Sequence, residues 1–134
     1  MAVSPDGTAK TRVLIADDEP VIADTLRIIL EQEGFVTTTV YGGVHAVERA
    51  QSWRPDVFLS DVLMPEMDGV EAAIRICNLL PECRVLLLTG AGGAANLLRE
   101  AEEQGYRFHV VQKPIHPTRL LRVLQRLSPH TGRA

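Results

Sequence analysis

Four apolar segments of this sequence end in polar residues that could act together in one site. Asp17 and Asp18 follow the first of these segments, and Asp61, Thr89 and Lys113 follow three later ones. Three carboxylates in one place repel each other unless a cation lies among them, and clustered oxygen ligands with room for water are what Mg²⁺ prefers. A carboxylate, a hydroxyl, an ammonium group and Mg²⁺ are together able to stabilise a transferring phosphoryl group.

Each of these residues could also have an ordinary structural role that requires no binding or catalytic site. The acidic pair precedes Pro20 and could cap a helix, Asp61 could be a solvated loop acid, and Thr89 could be a capping hydroxyl. Lys113 could precede a proline by compositional chance. However, it is one of only two lysines among the 14 basic residues, the others being arginine. Because lysine is a compact point charge and arginine a planar fork, the choice of lysine favours a tight site.

Short apolar segments rich in Val, Leu and Ile predict five strands. They are Val13–Ala16, Val36–Val40, Val57–Leu59, Val85–Leu88 and Phe108–Val111. Continuous rather than alternating apolar runs are typical of parallel strands covered on both faces. Ligands of open α/β sheets bind beyond the carboxyl ends of the strands, so we expect the polar residues that follow these segments to meet at one edge.

Helical patterns separate the predicted strands. The first runs from Pro20 to Gly34, and four others lie around residues 44–53, 70–80, 97–105 and 120–127. Strands that alternate with helices predict an α/β domain with a parallel sheet and helices on both faces. We assign residues 12–127 to this domain. Residues 1–11 and 128–134 lack periodicity and are rich in Ser, Pro, Gly and Thr, which predicts two flexible tails.

Composition restricts the class of protein. The 134 residues are 46% hydrophobic and 23% charged, which is the balance of one soluble domain with a core. No apolar stretch is long enough to cross a bilayer, and Cys77 and Cys83 form neither a disulfide framework nor a metal pattern. We therefore expect a cytoplasmic protein that does not contact membranes. The net charge of −3 argues against direct binding of nucleic acid.

The acidic pair, Asp61, Thr89 and Lys113 together resemble the signature of the receiver domain of bacterial two-component response regulators, in particular the stand-alone, chemotaxis-regulator-like type. The segment 61–69, DVLMPEMDG, is similar to the phosphoacceptor loop of that family, and the resemblance spans about residues 12–127. It implies a flavodoxin-like, doubly wound sheet of five parallel strands in the order 2-1-3-4-5 with five helices.

The resemblance also implies roles for the residues of the site. Asp61 would accept a phosphoryl group from a sensor histidine kinase or a phosphotransfer protein, and Thr89 and Lys113 would contact that group. The protein would be a switch rather than an enzyme. It would be a monomer or a weak homodimer whose phosphorylated surface binds a downstream effector protein.

A magnesium site is implied at the same place. Asp18, Asp61 and the backbone carbonyl of Leu63 would hold Mg²⁺ directly, and Asp17 would act through a bound water. One alternative is an aspartyl-nucleophile phosphatase. Such enzymes carry a second acid at the position of Leu63, so this residue argues against that alternative. A second alternative is a degenerate receiver that serves as a phosphorylation-independent scaffold. It draws support from Val110, which stands where many receivers have an aromatic residue.

Overall fold

The computed structural model describes residues 10–90 and 92–129. Within them, five strands alternate with five helices. The strands are β1 (Arg12–Ala16), β2 (Val36–Val40), β3 (Val57–Asp61), β4 (Arg84–Thr89) and β5 (His109–Gln112). The helices are α1 (Pro20–Gln32), α2 (Gly43–Trp53), α3 (Gly69–Leu79), α4 (Ala95–Glu103) and α5 (Pro117–Leu127).

All strand pairs are parallel, and the strands form one sheet in the order β2-β1-β3-β4-β5. This confirms the predicted fold. In register, Ala16 lies opposite Ser60, so Asp17 and Asp61 are the next residues on two neighbouring strands. Asp61 lies opposite Leu88, one residue before the end of β4. The sheet therefore brings the ends of β1, β3 and β4 to the same level.

Apolar side chains fill both sides of the sheet. Leu14 and Phe58 belong to a buried cluster with residues of α2, α3 and α4, whereas Ile15 and Leu59 belong to a second cluster with residues of α1 and α5. Successive strand residues point to opposite faces, and here both faces are covered by helices. This explains why the strand sequences are continuously apolar, and it makes the sheet a rigid platform for the residues at its edge.

Local signals start α1 and α3 close to the predicted residues, whereas α4 and α5 begin at Ala95 and Pro117, before the predicted residues 97 and 120. Pro20 opens α1, where its missing N–H is not needed by the helix. The carboxylate of Asp68 caps α3 by accepting a hydrogen bond from the backbone N–H of Glu71 at 2.8 Å.

The boundaries of four strands differ from the prediction, since β1 begins at Arg12 instead of Val13 and β4 begins at Arg84 instead of Val85. β3 extends to Asp61 and β4 to Thr89, so these two residues end the strands rather than follow them. β5 begins at His109 instead of Phe108. The ring of Phe108 packs against that of Tyr106, two residues earlier, with 5.9 Å between centroids.

Two residues assigned to the tails by the sequence pattern are buried. Thr11 and Ser128 lie at the two ends of the domain, and their hydroxyl groups are hydrogen-bonded to each other. Tail residues 1–9 and 130–134 lie outside the described residues.

Candidate functional site

Three carboxylates converge at the carboxyl edge of the sheet. One oxygen each of Asp17, Asp18 and Asp61 lies within 4.8 Å of the others. Asp17 is buried, Asp61 is half-buried and Asp18 is exposed, so the cluster opens to solvent on one side. The strand register explains the convergence, because β1 and β3 are neighbours that end at the same level.

Lys113 places an ammonium group in this cluster. Its Nζ lies 3.2 Å from Oδ2 of Asp61 and 3.8 Å from Oδ2 of Asp17. The backbone positions the side chain, because the N–H of Lys113 donates to the carbonyl oxygen of Thr89 at 2.7 Å. One ammonium against three ionised carboxylates leaves a formal excess of two negative charges, which attracts a further cation.

Asp17 carries the strongest sign that a cation belongs here. Its side chain is 1% exposed, and Oδ1 accepts a hydrogen bond from the backbone N–H of Glu19 at 2.9 Å. Oδ2 is buried without a hydrogen-bond partner among the described residues. Burial raises the pKa of Asp17, and the charges of Asp61 and Asp18 raise it further, against the lowering effect of the Glu19 N–H and Lys113. A buried carboxylate oxygen without a hydrogen bond is costly unless a positive charge faces it, and the Lys113 ammonium at 3.8 Å is shared with Asp61.

The donor set fits a hard divalent cation. All three side chains offer oxygen, and no histidine or cysteine joins this cluster in the described part of the chain. Mg²⁺ takes one or a few carboxylates and keeps several waters, which suits a cluster that is open on one side. The three aspartates therefore form a site that could hold Mg²⁺.

Gly69 fixes the backbone of Asp61, a role that the sequence pattern does not predict. Its N–H donates to the carbonyl oxygen of Val62 at 2.7 Å. A Cβ at this position would lie 2.2 Å from the carbonyl oxygen of Asp61 and 2.9 Å from Oγ of Ser60, so only glycine fits. The start of α3 is thus packed directly on the end of β3, which holds the candidate acceptor in place.

Thr89 and Leu63 flank the carboxylate cluster. Thr89 is half-buried at the end of β4, level with Gln112 of β5. Leu63 lies two residues after Asp61, and its side chain is 47% exposed. A Cβ on Gly93, in the loop after Thr89, would lie 3.3 Å from Cδ1 of Leu63, so the two loops are in contact. The role of the Leu63 carbonyl as a metal ligand stays a prediction.

Val110 stands on β5 with 41% of its surface exposed. It is a small aliphatic side chain on the sheet's edge strand.

No helix long and apolar enough to cross a membrane occurs among the residues described.

Comparisons with known proteins agree with this architecture. The family profile of the response regulator receiver domain matches residues 13–125. The chain is 31% identical over 118 residues to the chemotaxis protein CheY of Thermotoga maritima, which covers 87% of this chain and 97% of that protein. It is 33% identical over 127 residues to the probable transcriptional regulatory protein TcrX of Mycobacterium tuberculosis, covering 95% of this chain but 53% of that one.

A solved structure gives the same result. The chemotaxis response regulator CheY4 of Vibrio cholerae superposes with a TM-score of 0.74 at 31% identity, over 88% of this chain and 98% of that chain. The profile match and the CheY relatives confirm the family that the residue pattern indicates. This chain belongs to the response regulator receiver family of two-component systems, as a CheY-like receiver domain.

Proposed function

We propose that this receiver accepts a phosphoryl group on Asp61 in a Mg²⁺-dependent reaction and thereby changes the surface it offers to partner proteins. The observation that carries the proposal is the 3.2 Å separation between Nζ of Lys113 and Oδ2 of Asp61, inside a cluster of three carboxylates. An acceptor carboxylate, an ammonium group and a cation-binding cluster are the parts that phosphoryl transfer requires.

The transfer itself is a displacement at phosphorus. An oxygen of Asp61 attacks the phosphorus of a phosphohistidine on a sensor kinase or phosphotransfer protein. The P–N bond breaks, its electron pair stays on the imidazole nitrogen, and the product is an acyl phosphate on Asp61. Lys113 orients the carboxylate and then pairs with a phosphoryl oxygen. Asp18, Asp61 and the Leu63 carbonyl would hold Mg²⁺ directly and Asp17 would act through water, and the cation would supply charge neutralisation for the phosphoryl oxygens.

The added charge provides the switch. A phosphoryl group brings up to two negative charges and three acceptor oxygens to the edge of the sheet. The hydroxyl of Thr89 and the ammonium of Lys113 are the nearby groups that can move towards it. Thr89 leads into the loop that precedes α4, so a shift there alters a surface that an effector protein can bind.

The output we propose is binding to a protein, in the cytoplasm, by a monomer or weak homodimer. The net charge of −3 supports a protein partner over nucleic acid. Leu63, in the place of a second acid, supports a switch over a phosphatase, because an apolar side chain cannot donate a proton to a leaving group. The carboxylate cluster with its lysine supports an acceptor over a degenerate scaffold.

Labelling tests the acceptor. With Mg²⁺ and radiolabelled acetyl phosphate, the intact chain should gain one acid-stable, base-labile phosphoryl group. Asp61→Asn should gain none, whereas the control Asp24→Asn, an acid on α1 outside the cluster, should be labelled like the intact chain. Equal labelling of Asp61→Asn, or labelling that a chelator leaves undiminished, would contradict the proposal.

A further inference from the structure

A groove of about 800 Å³ lies at the edge of the sheet opposite Asp61, where β3 and β4 begin. Three segments line it: residues 54–56 before β3, residues 80–84 before and at the start of β4, and residues 126–129 at the end of α5. We call it the basal groove. Its volume lies within the range of small-molecule sites, and the acceptor chemistry uses none of its residues.

Each of the three segments contributes one arginine to the basal groove. Arg54, Arg84 and Arg126 are all exposed, and none of them forms an ion pair with another residue in the described ranges. Unpaired guanidinium groups from separate segments around one concavity favour an anionic ligand. Their planar forks match the geometry of phosphate oxygens.

Two acids, Asp56 and Glu82, also line the basal groove, so its three arginines leave it with one formal positive charge in excess. Oδ2 of Asp56 accepts the backbone N–H of Arg12 at 2.9 Å, so this carboxylate is engaged with the start of β1. The guanidinium of Arg12 lies 4.1 Å from the centre of the Trp53 ring, next to the groove, and adds a further positive charge. Glu82 is exposed in the turn before β4.

The backbone of Arg54 points to a use for its side chain. This residue ends α2 with φ 51° and ψ 74°, in the left-handed region, and its N–H donates to the Ala50 carbonyl at 3.1 Å. Glycine is the residue that adopts this conformation without steric cost. An arginine held there is a backbone outlier at the mouth of a cavity, which is where strain accompanies function.

Apolar side chains make up much of the remaining wall of the basal groove, beside Ser128 and Cys83. They include three prolines and two leucines: Pro55, Pro81, Pro129, Leu80 and Leu127. The proline rings fix φ, so these walls are formed before a ligand arrives. Apolar walls with a few charged groups at the rim suit a compound with a flat apolar part and an anionic part.

We propose that the basal groove binds a small phosphorylated compound of the nucleotide class, with its phosphates on the arginines and its ring against the apolar walls. The site does not depend on phosphorylation of Asp61, from which it is separated by the length of the sheet.

Calorimetric titration of the full chain tests this, with ATP, inorganic pyrophosphate and adenosine as probes in the absence of divalent cations. Trp53, the chain's single tryptophan, directly precedes Arg54, so its fluorescence gives a local readout. ATP and pyrophosphate should bind saturably, with adenosine at least tenfold weaker. Arg84→Gln and Arg126→Gln should each weaken ATP binding about tenfold, since each removes a charge-assisted hydrogen bond. Arg119→Gln, on α5 outside the groove, should leave it unchanged.

The Arg54→Gly variant tests whether a loss of ATP binding occurs without a loss of stability. Glycine suits the backbone at this position, so the variant should unfold at the same temperature as the intact chain or above it, yet bind ATP about tenfold more weakly. Asp61→Asn should bind ATP like the intact chain, which distinguishes this site from the acceptor site. Absence of saturable binding, loss of binding in Asp61→Asn, undiminished binding by the three groove variants, or an acidic peptide that binds more tightly than ATP would each overturn the proposal.

Discussion

Lys113 reaches Asp61 across an intervening strand. Its Nζ lies 3.2 Å from Oδ2 of Asp61, although β4 separates β5 from β3 in the sheet. The backbone of Lys113 is tied to the end of β4 by the hydrogen bond from its N–H to the Thr89 carbonyl. One residue therefore connects the ends of three strands, and a change in the charge of Asp61 acts on all three.

Replacing Lys113 should separate cation binding from phosphorylation. Lys113→Ala removes the ammonium that lies beside the three carboxylates, so Mg²⁺ should bind about three- to tenfold more tightly, the gain being limited by solvent screening. Phosphorylation by acetyl phosphate should slow at least tenfold, because the phosphoryl oxygens lose a partner. Calorimetry and labelling measure the two effects. Lys10→Ala, which alters the chain's other lysine, serves as control. Weaker Mg²⁺ binding in Lys113→Ala would contradict this account of the charge balance.

Asp17→Asn should remove the response of stability to Mg²⁺. In the intact chain, Mg²⁺ at 100 times its Kd should raise the free energy of unfolding by about 2.7 kcal/mol. The asparagine keeps the size of the side chain but lacks the charge, so this gain should largely vanish. Without metal, the variant should be at least as stable as the intact chain at pH 7, because burial raises the pKa of Asp17 and makes its ionised form costly.

Thermal unfolding with and without Mg²⁺ provides the measurement for Asp17→Asn. Asp24→Asn, which changes an acid outside the cluster, should keep the full Mg²⁺ effect. An equal Mg²⁺-induced shift in both variants would mean that Asp17 plays no part in holding the cation.

Gly69→Ala should destabilise the fold at the acceptor. The new Cβ would lie 2.2 Å from the Asp61 carbonyl oxygen, so the start of α3 or the end of β3 must move. We expect a loss of about 1–3 kcal/mol in the free energy of unfolding, measured in urea, together with reduced labelling of Asp61. Gly90→Ala is the matched control, since a Cβ there meets no atom within 4 Å. Equal stability of the two variants would show that the contact can relax without cost.

We expect the free energy of unfolding to fall at alkaline pH because Cys83 is buried. Burial raises the pKa of Cys83 to about 12, with a further contribution from Cys77, whereas an unfolded cysteine titrates near 8.5. Above about pH 9 the unfolded chain therefore loses this proton while the folded chain keeps it. The free energy of unfolding should fall by about 1.4 kcal/mol per pH unit on this account. The pH slope of Cys83→Ala, whatever its absolute stability, should be shallower by that amount; an identical slope would refute the assignment.

Sequence alone predicts the main architecture and the chemistry of the site. Apolar runs and helical spacing are local signals, and the rule that parallel strands end at one edge predicts that Asp17, Asp61 and Lys113 lie together. The register of β1 and β3 confirms that Asp17 and Asp61 follow paired residues on neighbouring strands. The position of the Leu63 carbonyl and the movement of Thr89 stay predictions.

Other features depend on tertiary contacts that no local pattern reveals. The close approach of Gly69 to Asp61 arises from the packing of α3 on β3, although a glycine directly after the capping Asp68 is a signal that could have been noticed. The arginines of the basal groove come from three distant segments, so no sequence period joins them.

The route by which a signal leaves the site is constrained by Val110. This side chain is small and stiff at its first torsion, so a switch that turns an aromatic ring between buried and exposed positions is not available at this position. We expect the movable parts to be Thr89 and the loop to α4. In that loop Gly92 and Gly93 have φ of +80° and +85°, and Gly93 faces Leu63 beside the acceptor. A phosphoryl group on Asp61 should therefore act through this loop.

Amide hydrogen exchange with and without beryllofluoride, a phosphoryl mimic, tests this route. In the intact chain, protection should change most across residues 89–104, which span the end of β4, the loop and α4. A ligand shifts populations only as far as it prefers one state, so Thr89→Ala, which lacks the hydroxyl that the mimic would attract, should respond much less. Thr38→Ala, a strand threonine on β2, should respond like the intact chain. A largest change in α1 or α2, or a normal response of Thr89→Ala, would mean that the signal leaves by another path.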